Sequence, residues 1–134
     1  MNLEELREEF YTWKITGDRV IHFAIGMTAL LILEFIAKPF YRTFIYSNQL
    51  YDFHIADTLG NSLGTIAGIF ILIALIGHTK TQHYFLIKTI TISFVFYELA
   101  QPMFGKPIDP WDVLATGLFG WLCYMFYGLI HRNN

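Results

Sequence analysis

The chain contains little cysteine and little charge. Cys123 is the only cysteine in 134 residues, so one chain can form neither an internal disulfide nor a thiolate metal site, and we interpret it as a small packing residue. Charged residues make up 15% of the sequence and the net charge is -2, which argues against a nucleic-acid partner.

The N-terminal residues lack the features of a cleavable signal peptide. Such a signal begins with basic residues followed by an apolar core, whereas this chain begins with a run that is rich in glutamate. From about Asn2 to Thr16 apolar residues recur at spacings of three and four, which predicts an amphipathic helix over residues 1–17. This helix would lie on the membrane surface or dock on a neighbouring subunit. Its apolar face is formed by Leu3, Leu6, Phe10 and Trp13.

What the sequence has in abundance is long runs of apolar residues. Hydrophobic residues make up 54% and aromatic residues 18% of the chain, and the mean hydropathy is +0.43. Most of the charges lie in the first twenty residues and in the gaps between the apolar runs. A charge at the centre of a membrane helix costs roughly 2.5–3.5 kcal/mol, so this distribution predicts an integral membrane protein in contact with lipid. We assign it to the cytoplasmic (inner) membrane.

Four apolar segments are each close to the roughly 20 residues that cross a bilayer as a helix. Helices are expected because unpaired backbone groups are costly in lipid. The prediction is therefore an all-α membrane protein with a single domain over residues 1–134, in which residues 18–131 form a four-helix bundle. The segments run from about Val20 to Ile36, Leu59 to Gly77, Tyr84 to Leu99 and Val113 to Ile130.

The connections predict how these segments are arranged. Lys38 to Ala56 is rich in aromatic residues, which is typical of an interfacial loop or of a loop packed over the end of the bundle. The short polar stretch from His78 to Gln82 predicts an antiparallel hairpin of the second and third segments. The third connection is kept out of helix by Pro102, Pro107 and Pro110.

The positions of lysine and arginine predict that both termini are cytoplasmic, because basic residues are enriched on that side. With four crossings, the side of the termini holds Arg7, Lys14, Arg19, Lys80, Lys88 and Arg132, whereas the other side holds Lys38, Arg42 and Lys106.

Carboxylates stand at the segment ends that would share the outer face. Glu98 and Asp112 flank one connection, and Glu34 and Asp57 flank an earlier one. Acidic residues in such places are costly unless a partner or a function uses them. The similarity of the two stretches predicts two repeats of two helices. The other matched pairs are Ala37 with Ala100, Lys38 with Gln101, Pro39 with Pro102, and Asn61 with Thr116.

Small residues recur every four positions in the second segment, at Gly60, Gly64 and Gly68. Such a stripe lets another helix approach closely. The fourth segment carries a looser version of the pattern, so these two segments are predicted to be the inner pair of the bundle.

The run Glu98-x-x-Gln101-x-x-Phe104, then Lys106, then Asp112-Val113-Leu114-Ala115-Thr116, resembles the signature of VanZ-like membrane proteins. Asp57-Thr58-Leu59-Gly60-Asn61 is similar to the family's second motif, usually Asp-Lys-x-x-His. Three residues depart from the family's pattern. Lys106 replaces the usual arginine, Thr116 replaces the usual asparagine and Asn61 replaces the usual histidine. The family's founding member is similar to a factor that lowers susceptibility to a lipoglycopeptide antibiotic. The resemblance therefore implies a polar site and a role in the cell envelope or in antibiotic tolerance, rather than a particular reaction.

Each acidic residue also has a structural interpretation. Glu98 could form an ion pair with Lys106 or Lys38, although Glu34 is the more natural partner of Lys38, one turn away. Asp112 and Asp57 could cap their helices. Asp109 is predicted to be a turn residue between two prolines, and Asp18 to cap the first segment.

The histidines show no ligand spacing, and we predict no metal site built from them. His22 is expected to be a helix residue near the membrane interface. His54, His78, His83 and His131 are scattered over the connections and segment ends.

The predicted functional site is a polar pocket at the outer face. Clustered carboxylates and amides could hold a divalent cation, bind a cationic group of a lipid, cell-wall precursor or antibiotic, or act in acid–base catalysis. The sequence has no nucleophile motif, so catalysis is the least supported and catalytic residues stay unassigned; no other cofactor is predicted. The predicted ligand-binding residues are Glu98, Gln101, Asp112, Asp57, Asn61, Thr116 and Lys106.

The sequence therefore predicts a VanZ-like envelope protein that binds a small or lipid-linked ligand. Two alternatives stay open. One is an accessory subunit or homo-oligomer, assembled through the glycine stripe or the N-terminal helix, and the other is a small oligomeric transporter.

Overall fold

The computed structural model describes residues 3–133, apart from the side chains of Leu6, Glu9 and Phe10. Within these residues every regular element is a helix, so the prediction of an all-α protein is confirmed for the described chain. The helices are α1 (Leu3–Tyr11), α2 (Gly17–Ser47), α3 (Leu59–Ile76), α4 (Lys80–Leu99) and α5 (Pro110–Ile130).

Helices α2, α3 and α5 are long and apolar enough to cross a membrane. Helix α4 has 20 residues, but its composition is less apolar, with two lysines and Glu98 among them. Three membrane-spanning candidates are thus present in the described chain, and the fourth crossing stays a prediction.

The N-terminal helix is shorter than expected, because it ends at Tyr11 rather than near Thr16. Trp13 lies in the linker that follows, where its indole N–H donates to the carbonyl of Leu75 at 3.0 Å. The predicted apolar positions Leu6 and Phe10 lie outside the described side chains.

Helix α2 does not end before Pro39, as the sequence suggested, but continues to Ser47. Its first part, Gly17–Ile32, is α-helical, Leu33–Arg42 is π-helical and Thr43–Ser47 returns to α-helix. Proline lacks the N–H of an α-helical hydrogen bond. The wider π turn accommodates Pro39 without ending the helix, so the aromatic connection begins only after Ser47.

None of the three aspartates considered as helix caps, Asp18, Asp57 and Asp112, occupies a cap position. The hydroxyl of Thr16, rather than the carboxylate of Asp18, accepts a bond from the backbone N–H of Arg19 at the start of α2. At the start of α5 the capping side chain is Asp109, which accepts a hydrogen bond from the N–H of Trp111 at 2.9 Å. Pro110 occupies the first helical position, which makes the preceding residue the cap and leaves Asp112 in the first turn.

Helix α3 is the centre of the molecule, because it packs against α2, α4 and α5. The core cluster includes Ile69, Phe70 and Ile73 of α3, which are fully buried, and Ile87 of α4. The predicted inner pair was α3 and α5. Helix α5 does pack on α3, but it directs much of its apolar surface outward.

The four long helices bring their ends together in two groups. At one end, the start of α2 meets the last residues of α3 and α5, because Arg19 contacts Ala74 and His22 contacts His131. We call this the histidine end. At the other end, the start of α3, the end of α4 and the start of α5 meet around Glu98, and we call this the acidic end. Both chain termini thus leave the long helices at the histidine end.

Candidate functional site

A cavity of about 220 Å³ opens at the acidic end between α3, α4 and α5. Each of the three helices contributes polar groups to its wall. The lining residues are Gly60, Asn61, Gly64, Thr65, Phe94, Tyr97, Glu98 and Thr116. Three predicted site residues, Asn61, Glu98 and Thr116, therefore line one cavity, although their segments are far apart in sequence.

Glu98 is the one carboxylate among these lining residues, and it is 8% exposed. It lies in the last turn of α4, where the side-chain amide of Gln101 donates to its Oε2 at 3.2 Å. Neither proposed basic partner forms an ion pair with it in the described chain. Lys38 pairs with Glu34 at 2.5 Å, as expected for residues one turn apart. Glu98 is thus a buried carboxylate whose hydrogen-bond partner is a neutral amide.

The side chain of Asn61, in the first turn of α3, acts on the half-buried carboxylate of Asp112, in the first turn of α5. Thr116, one turn after Asp112, is 1% exposed and lines the cavity wall. Asp112 therefore lies near the rim of the cavity and Thr116 inside it.

Asp57 lies at the same end, but it does not line the cavity. The hydroxyl of Tyr46 donates to its Oδ1, and Nδ1 of His54 is 3.1 Å from its Oδ2. The hydrogen bond from Tyr46 is the main cause that holds the pKa of Asp57 below its ordinary value, with smaller contributions from His54 and Arg42. Asp57 does not cap α3, because Thr58 occupies the cap position. Its contacts tie the connection to the end of α2.

Lys106 and Gln101 stand on the connection between α4 and α5. Gln101 begins a short 3₁₀ turn, Gln101–Phe104, which closes at Gly105 in the left-handed region with a φ of 77°. The backbone N–H of Lys106 then donates to the carbonyl of Gln101 at 3.1 Å. The side chain of Lys106 is exposed and does not line the cavity. Of the three prolines expected to exclude helix here, Pro102 lies in the 3₁₀ turn and Pro110 in α5.

The two stretches aligned as repeats differ in environment. Glu34 is exposed and paired with Lys38 inside the π-helical part of α2, whereas Glu98 is buried at the end of α4. Pro39 lies within a helix and Pro102 in a 3₁₀ turn. The duplication stays a prediction based on the sequence, and the two acidic positions differ in burial and in hydrogen bonding.

Gly60 and Gly64 contribute to the cavity in a way that the sequence analysis missed. A Cβ built at either residue would have no other side chain within 4 Å, so the stripe leaves a notch rather than a contact there. Of the three glycines in the stripe, Gly68 is the one that meets a neighbour closely, because a Cβ built there would lie 2.8 Å from the ring of Phe94. A stripe of small residues indicates either close packing or open space, and the sequence alone does not separate them.

Aromatic side chains form a second feature of this end. The sequence predicted an aromatic-rich connection, with a loop packed over the end of the bundle as one interpretation, but it did not predict the ring stack found there. His54 stacks on Trp111 with ring centroids 4.6 Å apart and an angle of 18° between the planes. Phe53 and His54 have φ values of 57° and 63°, in the left-handed region that is uncommon for residues other than glycine. Backbone strain of this kind persists only where the surroundings enforce it. The stack therefore fixes the connection against the start of α5.

Comparison with known proteins gives no matching family model, no matching curated protein and no matching solved structure. The VanZ resemblance thus stays a prediction carried by the motif residues.

The chemistry available at the acidic end is that of oxygen acceptors. Glu98, Asn61, Thr65 and Thr116 supply oxygens around a small volume, and in the described chain no three metal-binding side chains are placed to share one ion. The arrangement suits recognition of a positively charged or hydrogen-bond-donating group.

Proposed function

We propose that this chain is a VanZ-like integral membrane protein of the cell envelope, and that its acidic-end cavity binds a cationic group of a small or lipid-linked ligand. The ligand's ammonium group would contact Glu98, while Asn61 and Thr116 would accept or donate hydrogen bonds beside it. Asp112 and Asp57 would add negative potential at the rim.

The observation that carries this proposal is the state of Glu98. A buried carboxylate is costly unless it is paired, and the hydrogen-bond partner of this one is a neutral amide. It faces a cavity of about 220 Å³, which is large enough for a headgroup. A ligand cation would supply the missing charge partner, and the motif that contains Glu98 is the part of the chain that resembles the family.

The test is the substitution Glu98→Gln, which keeps the shape of the side chain and removes its charge. A charge-assisted hydrogen bond contributes about 1.5–3 kcal/mol. Ligand affinity should therefore fall roughly ten- to hundredfold. We expect cells that express Glu98→Gln to be as susceptible to a lipoglycopeptide antibiotic as cells without the protein, at equal amounts of membrane-inserted protein. Native mass spectrometry should show the loss of any co-purifying lipid-linked ligand.

The matched control is Glu34→Gln, because Glu34 is an exposed glutamate at the same end of the bundle whose charge is already paired. This variant should retain the wild-type phenotype. Full activity of Glu98→Gln, or equal loss in both variants, would contradict the proposal. Calorimetric titration with MgCl₂ and CaCl₂ distinguishes an inorganic cation site, which would also require Glu98, from a site for an organic cation.

A second candidate, an accessory subunit of a membrane complex, is favoured by α1. Among the described residues the backbone of this helix does not approach any other helix closely, and Leu3 and Tyr11 are exposed. If α1 docks on a partner, deletion of residues 1–12 should dissolve a complex seen by native electrophoresis, whereas Glu98→Gln should leave that complex intact.

A further inference from the structure

Three histidines from three helical segments meet inside the histidine end. His22 of α2 is fully buried, and its ring centroid lies 5.1 Å from that of His83 of α4 and 5.1 Å from that of His131, which follows α5. His83 and His131 are 6% and 5% exposed. Tyr127 of α5 packs against all three rings. This group, which we call the histidine cluster, is separate from the cavity at the acidic end.

The hydrogen bonds of the cluster depend on where its protons lie. Nε2 of His22 is 2.8 Å from Nε2 of His131, and such a bond needs one protonated and one unprotonated nitrogen. Nδ1 of His83 is 2.7 Å from the hydroxyl of Tyr127. The second nitrogen of His22 and that of His83 are buried without a hydrogen-bond partner in the described chain. A proton added to whichever of these two rings accepts the bond would place two N–H groups against each other.

Few charged groups surround the cluster, and most of them already have hydrogen-bond partners. From α2, Asp18 acts electrostatically on His22, and the guanidinium of Arg19 donates to the carbonyls of Ala74 and Leu75 at 2.7 and 2.9 Å. The ammonium of Lys80 in α4 donates to the carbonyl of His131 at 2.7 Å. Tyr84 of α4 contacts Tyr127, and His78 of the short connection contacts Arg19. Helix α3 carries no titratable side chain. Among the described residues, Asp18 is thus the carboxylate that acts electrostatically on His22 and His83, and Arg19 and Lys80 are the neighbouring cations.

The cluster also joins helices whose backbones do not approach one another closely. Helix α2 packs along α3, but its backbone does not approach α4 or α5 closely anywhere in the described chain. At the histidine end, the side chain of His22 reaches across to His131 and His83. The cluster is therefore a polar link between α2 and the hairpin formed by α4 and α5.

We propose that the histidine cluster is a proton-sensitive latch that holds α2 against the α4–α5 hairpin near neutral pH and releases it on acidification. Imidazole is the side chain whose ordinary titration lies between about pH 5 and 8. Burial favours its uncharged form. The closed cluster thus binds fewer protons than an opened one, so closure is favoured at higher pH and weakened as pH falls.

A metal site and a proton path across the membrane both fit the geometry of the cluster less well than a latch does. A metal site needs several nitrogens that point to one position, and among the described residues no such group of three ligands is present. A proton path needs continuous polar groups, whereas Ile69, Phe70 and Ile73 fill the core between the two ends. A local switch requires neither.

The native cysteine reports on the latch. Cys123 is 2% exposed and lies one helical turn before Tyr127 on α5, so opening of the histidine end should make its thiol accessible. We would measure its reaction with an aromatic disulfide reagent in detergent between about pH 7.5 and pH 4.5, divided by the rate for N-acetylcysteine at each pH. In the wild type this ratio should rise on acidification by up to about tenfold per pH unit, the limit for one linked proton.

Two variants make the test specific. His131→Gln can still form a hydrogen bond but cannot gain a charge, so its reaction ratio should change clearly less with pH than that of the wild type, through the remaining His22 and His83. His54→Gln removes a histidine at the acidic end and should keep the wild-type response. A flat wild-type profile, or an undiminished response in His131→Gln, would overturn the latch. If a metal chelator abolished the response, the cluster would be a metal site and the latch would be overturned.

If His131→Gln fails to give a monodisperse protein, ring-nitrogen NMR of the labelled wild type provides the decisive measurement. The latch requires the resonances of the buried ring nitrogens and the accessibility of Cys123 to change over the same pH range. Changes over different ranges would overturn it.

Discussion

Asp57 differs from the other acidic side chains at its end of the molecule, because both of its carboxylate oxygens have partners. The bond from Tyr46 is the principal reason that the pKa of Asp57 is lowered. A lowered carboxyl pKa means that the charged form is favoured in the folded state. The resulting stabilisation is present above the ordinary titration range of aspartate and is lost as pH falls through the lowered pKa.

The substitution Tyr46→Phe should therefore raise the pKa of Asp57 and move the loss of this contribution to a higher pH. Carboxyl-carbon NMR titration of Asp57 measures the change directly. The matched control is Tyr41→Phe, because the hydroxyl of Tyr41 donates to Asp52 at 3.0 Å instead. An equal rise at Asp57 in both variants would show that Tyr46 acts through general packing rather than through its hydrogen bond.

Some assignments of single residues could have been made from the sequence and others could not. Pro110 at the first helical position identifies Asp109 as the cap of α5, and this rule was available without coordinates. The pairing of Glu34 with Lys38 was predicted because it is local. The contact between His22 and His131 spans 109 residues, and no spacing rule encodes it.

At the scale of helices, α2 and α3 approach closely at a single glycine. A Cβ at Gly26 would lie 2.9 Å from the backbone nitrogen of Ile71 and 3.0 Å from the carbonyl oxygen of Ala67. Backbone atoms cannot move aside as a flexible side chain does. Gly26→Ala should therefore separate the helices and destabilise the protein by roughly 1–3 kcal/mol, as measured by denaturant titration in detergent micelles.

Gly60→Ala is the control for helix propensity, because a Cβ at Gly60 meets nothing within 4 Å. That variant should be neutral or more stable by up to about 1 kcal/mol. Similar destabilisation in both variants would mean that Gly26 does not mark a close helix contact.

The glycine notch at the acidic end leads to a prediction about binding. Leucine at position 64 would project into the cavity of about 220 Å³, whose wall at Gly64 is open. Gly64→Leu should therefore block the proposed ligand and abolish the antibiotic phenotype, without loss of membrane-inserted protein. Native mass spectrometry would measure ligand occupancy.

A matched substitution, Gly117→Leu, adds the same side chain at another glycine with open surroundings, on the groove between α4 and α5. This variant should retain both ligand and phenotype. Equal loss in the two variants would indicate a general effect of leucine on the bundle rather than occlusion of the acidic-end cavity.

The positions of the helices were largely predictable because apolar runs of membrane length have distinct ends. The start of α3 and the ends of α4 and α5 match the sequence prediction. The end of α2 was missed because proline normally stops an α-helix, and the π-helical turn around Pro39 depends on its surroundings. The acidic end was found because alternating helix directions place its carboxylates together, whereas the histidine cluster depends on side-chain packing.

At the scale of the whole molecule, the path of α4 determines the membrane topology. Helix α3 is apolar enough to cross the membrane, and α4 starts four residues after α3 ends and returns Glu98 to the cavity that Asn61 lines. Helix α4 thus runs between the same two ends as α3 and α5. We therefore predict that α4 crosses the bilayer together with those two helices, although its composition alone does not identify it as a span.

Four crossings and cytoplasmic termini predict a specific labelling pattern for single cysteines in a Cys123→Ala background. Cysteines at exposed positions 48 and 106 should react with a membrane-impermeant maleimide in intact cells, and cysteines at exposed positions 14 and 132 only after the membrane is opened. If α4 did not cross, positions 106 and 132 would exchange sides while position 48 stayed outside. The labels at positions 48 and 106 therefore decide whether α4 crosses the membrane. Only a crossing by α4 places the aromatic connection and the Pro-rich connection in the same compartment. Asp57 and Glu98 would then lie at one surface of the membrane.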